Sequence, residues 1–333
     1  MGLSIGRLYE YFDAAAPVEA STKTKCRSAV RRLIAWRQSV GASVEAAAIA
    51  VHEVGAWQLW LLRTGLRRTS LAGYVAGVSQ VYRWAVEAEL LADNPFARAR
   101  KLRAPAPEVE TFGADEVRDL VAAAGAVEAG DDSARLRWLA MIVLAAGSGP
   151  RIGEIHNLRW EDLDLEAAIV HVRYHPPRSG ECWEWGSKTM KPRLLPLSDT
   201  AVVCYERLGE VATWRYPHLP EPTCRRLQAL ATSLTEEQRK RPYGSCFYSQ
   251  WARIRAYADG LRRLAGRPPL RVGAFHTLRK TAITDWLKAK VRIADVQAVA
   301  GHASRTTTLT YYDAVVDREA VENVRRVLNQ EVR

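Results

Sequence analysis

Phe275-His276-Thr277-Leu278-Arg279-Lys280-Thr281-Ala282, followed by Gly301-His302 and then Thr310-Tyr311-Tyr312, is the stretch from which the rest of the chain can be read. Two imidazoles, a guanidinium and a phenol in one segment suit attack on a phosphate diester by an oxygen nucleophile without a metal ion. Displacing a sugar oxygen from phosphorus adds negative charge to the non-bridging oxygens, which planar Arg donors match best. The leaving oxygen needs a proton from a Lys or His, and a second imidazole can take the proton of the phenol. An ordinary Tyr titrates near pH ~10, so this phenol reacts only where cations stabilise its developing charge. His276 and Arg279 stand three apart at a helix start, so both can face one phosphate. The His-x-x-Arg pattern alone is weak, since it recurs at His156-Asn157-Leu158-Arg159 and from His175 to Arg178, and its surroundings have to decide.

Those surroundings are informative. Gly147-Ser148-Gly149-Pro150-Arg151-Ile152-Gly153-Glu154-Ile155, with Leu158-Arg159-Trp160-Glu161-Asp162-Leu163-Asp164 after it, resembles the first arginine box of the tyrosine recombinases, also called the phage integrase family. Lys188 in Ser187-Lys188-Thr189-Met190-Lys191-Pro192-Arg193-Leu194-Leu195-Pro196-Leu197, the His276/Arg279 box, Gly301-His302 and a Tyr nine residues past that His follow in the family's order and spacing.

The resemblance implies a mainly α protein, with a SAM-like helical bundle ahead of an α+β catalytic domain that carries a small antiparallel sheet. It implies a site-specific DNA recombinase that cuts and rejoins strands through a 3′-phosphotyrosyl intermediate, with no cofactor and no metal. Arg151 and Arg279 would then stabilise the phosphate charge, Lys188 would be the general acid, and His276 and His302 would manage protons and orientation. Tyr311 would be the nucleophile. Family spacing selects Lys188 over Lys191 and Tyr311 over Tyr312. Glu154, three residues from Arg151, would orient that guanidinium. The implied partners are double-stranded DNA attachment sites, bound by a homotetramer built from monomers or weak oligomers, with scope for an accessory DNA-bending or directionality factor. A type IB topoisomerase and a non-catalytic DNA-binding protein are the alternatives.

Composition agrees with a polyanionic partner. The net charge is +11, and residues 1–103 carry 15 Lys or Arg against 8 Asp or Glu, so the smaller part is the more basic per residue. Lys23, Lys25, Arg27, Arg31, Arg67, Arg68 and Lys101 are the candidate phosphate contacts there. Cys26, Cys182, Cys204, Cys224 and Cys246 lack paired short spacings, which argues against a zinc site or a disulfide framework. No apolar run reaches the ~18 residues that span a bilayer, and no signal pattern opens the chain. A cytoplasmic, nucleoid-associated protein with no membrane contact is expected.

Periodicity supplies the organisation. Helices are expected at 4–16 with a Ser4 cap, 22–40, about 44–64 and about 69–90, a four-helix unit that Asp93-Asn94-Pro95-Phe96 ends. The domains expected are 1–103, a core DNA-binding helical domain, an Ala-Pro linker at 104–110, and a catalytic domain at 111–333 with a tail helix from Asp317. Within the second domain a helix starts at Asp115-Glu116, an apolar helix covers 133–146, and Pro150 opens the next at its first position. Alternation from Ile169 to Tyr174, with Cys182 to Trp185 and Arg193 to Leu197, predicts three antiparallel strands with Lys188 at a hairpin. Phe247, Trp251, Ile254 and Ala258 make a core stripe, and no role is evident for the insertion at 175–186.

Overall fold

Helix α1 (Ile5–Ala15) begins at Ser4, whose hydroxyl accepts the Arg7 N–H at 3.2 Å and satisfies a donor that the first turn leaves free. It belongs to a computed structural model that describes residues 2–100, 102, 109–127, 131–175, 192–212, 216–218, 244–271, 273–304 and 306–313. The chain divides into two units, Met1–Pro107 and Glu108–Arg333.

In the first unit, α2 (Ala20–Ser39), α3 (Val51–Arg63), α4 (Arg68–Glu87) and α5 (Pro95–Arg98) follow α1. Ile5, Leu8, Phe12, Leu33, Trp57, Leu61, Leu71 and Tyr82 are among the fully buried side chains of its core. Two sequence expectations need correction. The helix expected from about residue 44 starts only at Val51, behind a 3-10 turn at Ala46–Ala48. The cause is Glu53, whose carboxylate accepts the Ala50 N–H at 2.8 Å and is held by the buried Arg37 at 2.5 Å, so capping fixes the start there. Asp93-Asn94-Pro95-Phe96 does not end the unit but starts a fifth helix. Asn94 accepts the Phe96 N–H at 3.1 Å and Pro95 takes the first position, where its missing donor costs nothing. Phe96 then enters the core against Trp57 and Tyr82, and Gln58 bonds the backbone of Arg100 and Leu102.

The second unit contains α6 (Ala114–Val127), α7 (Asp132–Ser148), α8 (Ile152–His156), strands β1 (Leu163–Asp164), β2 (Ile169–Val172) and β3 (Arg193–Pro196), α9 (Asp199–Val211), α10 (Gly244–Leu264), α11 (His276–Lys288) and α12 (Ile293–Ala300). Residues 306–313 are helical and are called α13 here. Helix α7 is central, with buried residues on all sides. The sheet has the order β1-β2-β3, antiparallel throughout, with Val170 opposite Leu163 and Leu195, and Val172 opposite Arg193. Its first strand, Leu163–Asp164, is too short to carry a readable period. Pro150 stands one residue ahead of the α8 cap, Arg151, rather than in the first helical position. Trp138, Phe247, Trp251 and Phe275 form an aromatic cluster directly before His276, which fixes where α11 begins. Lys101, residues 103–108, Cys182 to Trp185, Lys188, Lys191 and the tail from Asp317 lie outside the described residues.

Phe96→Ala should cost the first unit about 3–5 kcal/mol of unfolding free energy, read from its urea transition. An unchanged midpoint would mean that α5 is an appendage rather than part of the core.

Candidate active site

Helix α12 ends at Gly301, whose φ of +64 suits a residue without a Cβ, and the last carbonyls of the helix have no partners within it. Three guanidinium groups from three separate segments take up consecutive carbonyls. Arg193 Nε donates to Val299 O at 2.9 Å, Arg279 Nη2 to Ala300 O at 2.7 Å, and Arg151 Nη2 to Gly301 O at 2.6 Å. The partial negative charge of a helix C-terminus favours cations at this end. A Cβ on Gly301 would stand 2.9 Å from Arg193 Nε, so close approach as well as backbone conformation requires glycine.

Each guanidinium is fixed by its own segment. Arg151 is the extended residue that caps α8, and Glu154, one turn on, accepts its backbone N–H at 2.7 Å and its Nη1 at 2.9 Å. Glu154 also accepts Arg193 Nη2 at 2.5 Å. Burial pushes the Glu154 carboxyl up, but the Arg193 hydrogen bond and the Arg193 and Arg151 charges outweigh it and hold the pKa below the usual value. Arg279, on α11, donates Nη1 to Gly149 O at 2.5 Å, at the left-handed residue that closes α7. Among the described residues Arg279 has no carboxylate partner. Burial and the neighbouring Arg151 lower its pKa to about 10. Among the described residues, these three buried or half-buried guanidinium groups therefore meet one carboxylate, which pairs with Arg151 and Arg193 alone, and positive charge is left over for an anion.

His276 is the first residue of α11. Desolvation, then the charges of Arg279, Lys280 and Arg151, hold its pKa below the ordinary imidazole value. His302 follows Gly301 directly, and its Nδ1 lies 2.9 Å from the hydroxyl of the buried Thr308. Burial and the charges of Arg279, Arg151, Arg193 and His276 depress it to about 4. The Tyr311 ring lies nearly parallel to that of His302, with centroids 6.0 Å apart and planes at 16°. Tyr311 also packs on the cluster of Ile283, Leu287, Val296 and Ala300, whereas Tyr312 is 39% exposed. Burial raises the Tyr311 pKa and Arg279 lowers it, with a net rise.

Arg151, Glu154, His276, Arg279, His302 and Tyr311 are thus gathered around the end of α12. Lys188 lies outside the described residues. Sequence reading passed over two groups, Arg193 and Thr308. A charged residue opening the apolar run Leu194-Leu195 was the available signal for Arg193; nothing local marked Thr308. In the first unit Lys25, Arg31, Arg67 and Arg68 are exposed, while Arg27 pairs with Asp13 at 3.2 Å and the half-buried Lys23 donates to the Asp13 carbonyl at 2.5 Å. Among the described residues no group of three His, Cys, Asp or Glu side chains is placed to hold a metal ion, and no helix is long and apolar enough to cross a membrane.

A phenol and two imidazoles set against a cation-rich helix end, in a helical chain with a small antiparallel sheet, define a phosphoryl-transfer enzyme that uses a tyrosine. Residues 110–318 match the model of the phage integrase family, and the chain belongs to that family, the tyrosine-type site-specific recombinases. The tyrosine recombinase XerC of Xylella fastidiosa is 27% identical over 314 residues, covering 92% of each chain. The tyrosine recombinase XerD of Pseudomonas aeruginosa is 25% identical over 292 residues, 87% of this chain and 86% of its own. The fold is shared with the Tn1549 transposon integrase in complex with transposon right end DNA, at a TM-score of 0.70 and 17% identity over 97% of this chain and 99% of that one. A lambda integrase dimer bound to a COC′ core site gives 0.60 and 18% over 94% and 78%.

His302 should titrate near pH 4 in the free chain, against an ordinary 6.5, when its ring is followed by NMR. Because the unfolded chain takes up this proton first, the contribution to stability is complete above pH 6.5 and is lost as the pH falls towards 4. A midpoint at or above 6.5 would show that His302 is neither buried nor surrounded by the three arginines.

Proposed function

We propose that this recombinase cuts and rejoins duplex DNA at specific attachment sites through a 3′-phosphotyrosyl bond to Tyr311. The observation that carries this reading is the stacking of Tyr311 on His302 beside Arg151, Arg193 and Arg279, of which the first two pair with Glu154 and the third has no carboxylate partner among the described residues. The Tyr311 oxygen attacks phosphorus, the bond to the 5′ oxygen breaks, and the phenol proton passes to an imidazole. His302 and His276 suit that transfer because both are held neutral near pH 7, by burial and by their cationic neighbours. The Tyr311 phenol is protonated at rest, so it is spent only when the phosphate is in place.

Arg151 and Arg279 stabilise the non-bridging oxygens, since each guanidinium has more N–H donors than its contacts to Glu154 and the backbone use. Lys188 gives its proton to the departing 5′ oxygen, which leaves as a hydroxyl. That hydroxyl attacks the phosphotyrosyl bond of the partner strand, so the bond energy is kept and no nucleotide cofactor is required. The first unit grips the backbone, with the exposed Lys25, Arg31, Arg67 and Arg68 as its phosphate contacts. Four chains act together on two sites, and an accessory DNA-bending or directionality factor can set the outcome. Relatives that align over almost the whole chain are recombinases, which favours strand exchange over simple relaxation of supercoils.

On a nicked duplex carrying a core site, Tyr311→Phe should abolish the detergent-resistant protein–DNA adduct, whereas Tyr312→Phe should keep it, with or without chelator. An adduct that survives Tyr311→Phe would overturn the assignment of the nucleophile.

A further inference from the structure

We propose that Arg193 is a positioning residue of the cleavage site, which acts through Glu154 and the Val299 carbonyl to hold Arg151 and His302 in their working orientations. The proposal rests on the strand-transfer reading above and adds a residue to which that reading gives no role.

Arg193 opens β3 opposite Val172, and its side chain leaves the sheet to lie 8% exposed between α8 and the end of α12. A guanidinium buried to this degree is costly unless it is paired, and replacement by an apolar residue is often neutral where the ion has only a packing role. Here it makes two directed bonds, one to the carboxylate that holds Arg151 and one to a carbonyl three residues before His302. Nη2 reaches Glu154 Oε2 at 2.5 Å, and the same oxygen accepts the Arg151 N–H at 2.7 Å, so the carboxylate plane is set and Oε1 is left facing Arg151 Nη1 at 2.9 Å. Nε reaches Val299 O at 2.9 Å, two residues before the left-handed Gly301 that aims His302.

The fit of Gly301 against the Arg193 side chain, where even one Cβ would collide, shows how closely the two are matched. The nearly full burial of Arg193 keeps it from touching DNA itself, which leaves positioning as its means of action.

The test is single-turnover cleavage of a nicked duplex that carries a core site selected by the full chain from a random pool, with affinity for the same duplex measured in parallel. Arg193→Met is expected to slow cleavage by about 100-fold while the Kd changes by less than about threefold, because binding uses the whole interface and orientation governs only the chemical step. Arg193→Lys should recover about tenfold of that loss, since one ammonium satisfies one partner but not both. In a Glu154→Gln background Arg193→Met should add less than about tenfold, because the two residues act through one bond.

Wild-type cleavage rates in both Arg193 variants, or a loss that multiplies in full with Glu154→Gln, would overturn the proposal. If Arg193→Met does not fold, Arg193→Lys decides alone, and a wild-type rate in it is contradictory. Failure of the unaltered chain to cleave at all would instead remove the strand-transfer reading, so the two failures are told apart.

Discussion

A helix end leaves carbonyl groups with no amide to accept from, and in this chain that deficit assembles the site. Val299, Ala300 and Gly301 each accept one guanidinium, from β3, α11 and the cap of α8 in turn. Like charges are thereby brought together in a partly buried space, which would be unfavourable without the dipole of α12 and the one carboxylate of Glu154. In the proposed reaction the residual positive charge is what an incoming phosphate neutralises. Because the donors are held before DNA arrives, little reorganisation is left for the chemical step.

The same crowding of cations sets the state of the other groups. His302 and His276 are pushed towards the neutral form, which in the proposed reaction lets them accept a proton, and burial raises the pKa of the Tyr311 phenol so that it holds its proton at rest. His302 does this from the residue directly after Gly301, so helix termination, arginine placement and imidazole orientation are one structural event. Elsewhere an imidazole has a plainer task. His156 is buried edge-on against Phe247, and desolvation alone lowers it to about 3, as befits a core residue.

Much of this was legible in the sequence because local spacing carries it. Arg151 with Glu154, and His276 with Arg279, share helix turns that their separation already implies, and Gly301-His302 marks a helix end with an imidazole beyond it. The mainly helical class with a small antiparallel sheet followed from periodicity and the resemblance together. What escaped was non-local or very short. Arg193 meets Glu154 and Val299 across 39 and 106 positions, a pairing that no window reveals. Strand β1 spans only Leu163–Asp164, and Asn94-Pro95 reads equally as a stop or, with the Asn94 cap, as a start.

The most direct test of a site built on these carbonyls is a crystal structure of the full chain on a core-site duplex with vanadate in place of the scissile phosphorus. Arg151 and Arg279 should donate to the equatorial oxygens of the vanadate while remaining within about 3 Å of the Gly301 and Ala300 carbonyls, with the Tyr311 oxygen at an apical position. An anion bound away from the end of α12, or guanidinium groups that abandon those carbonyls to reach it, would contradict a preformed site.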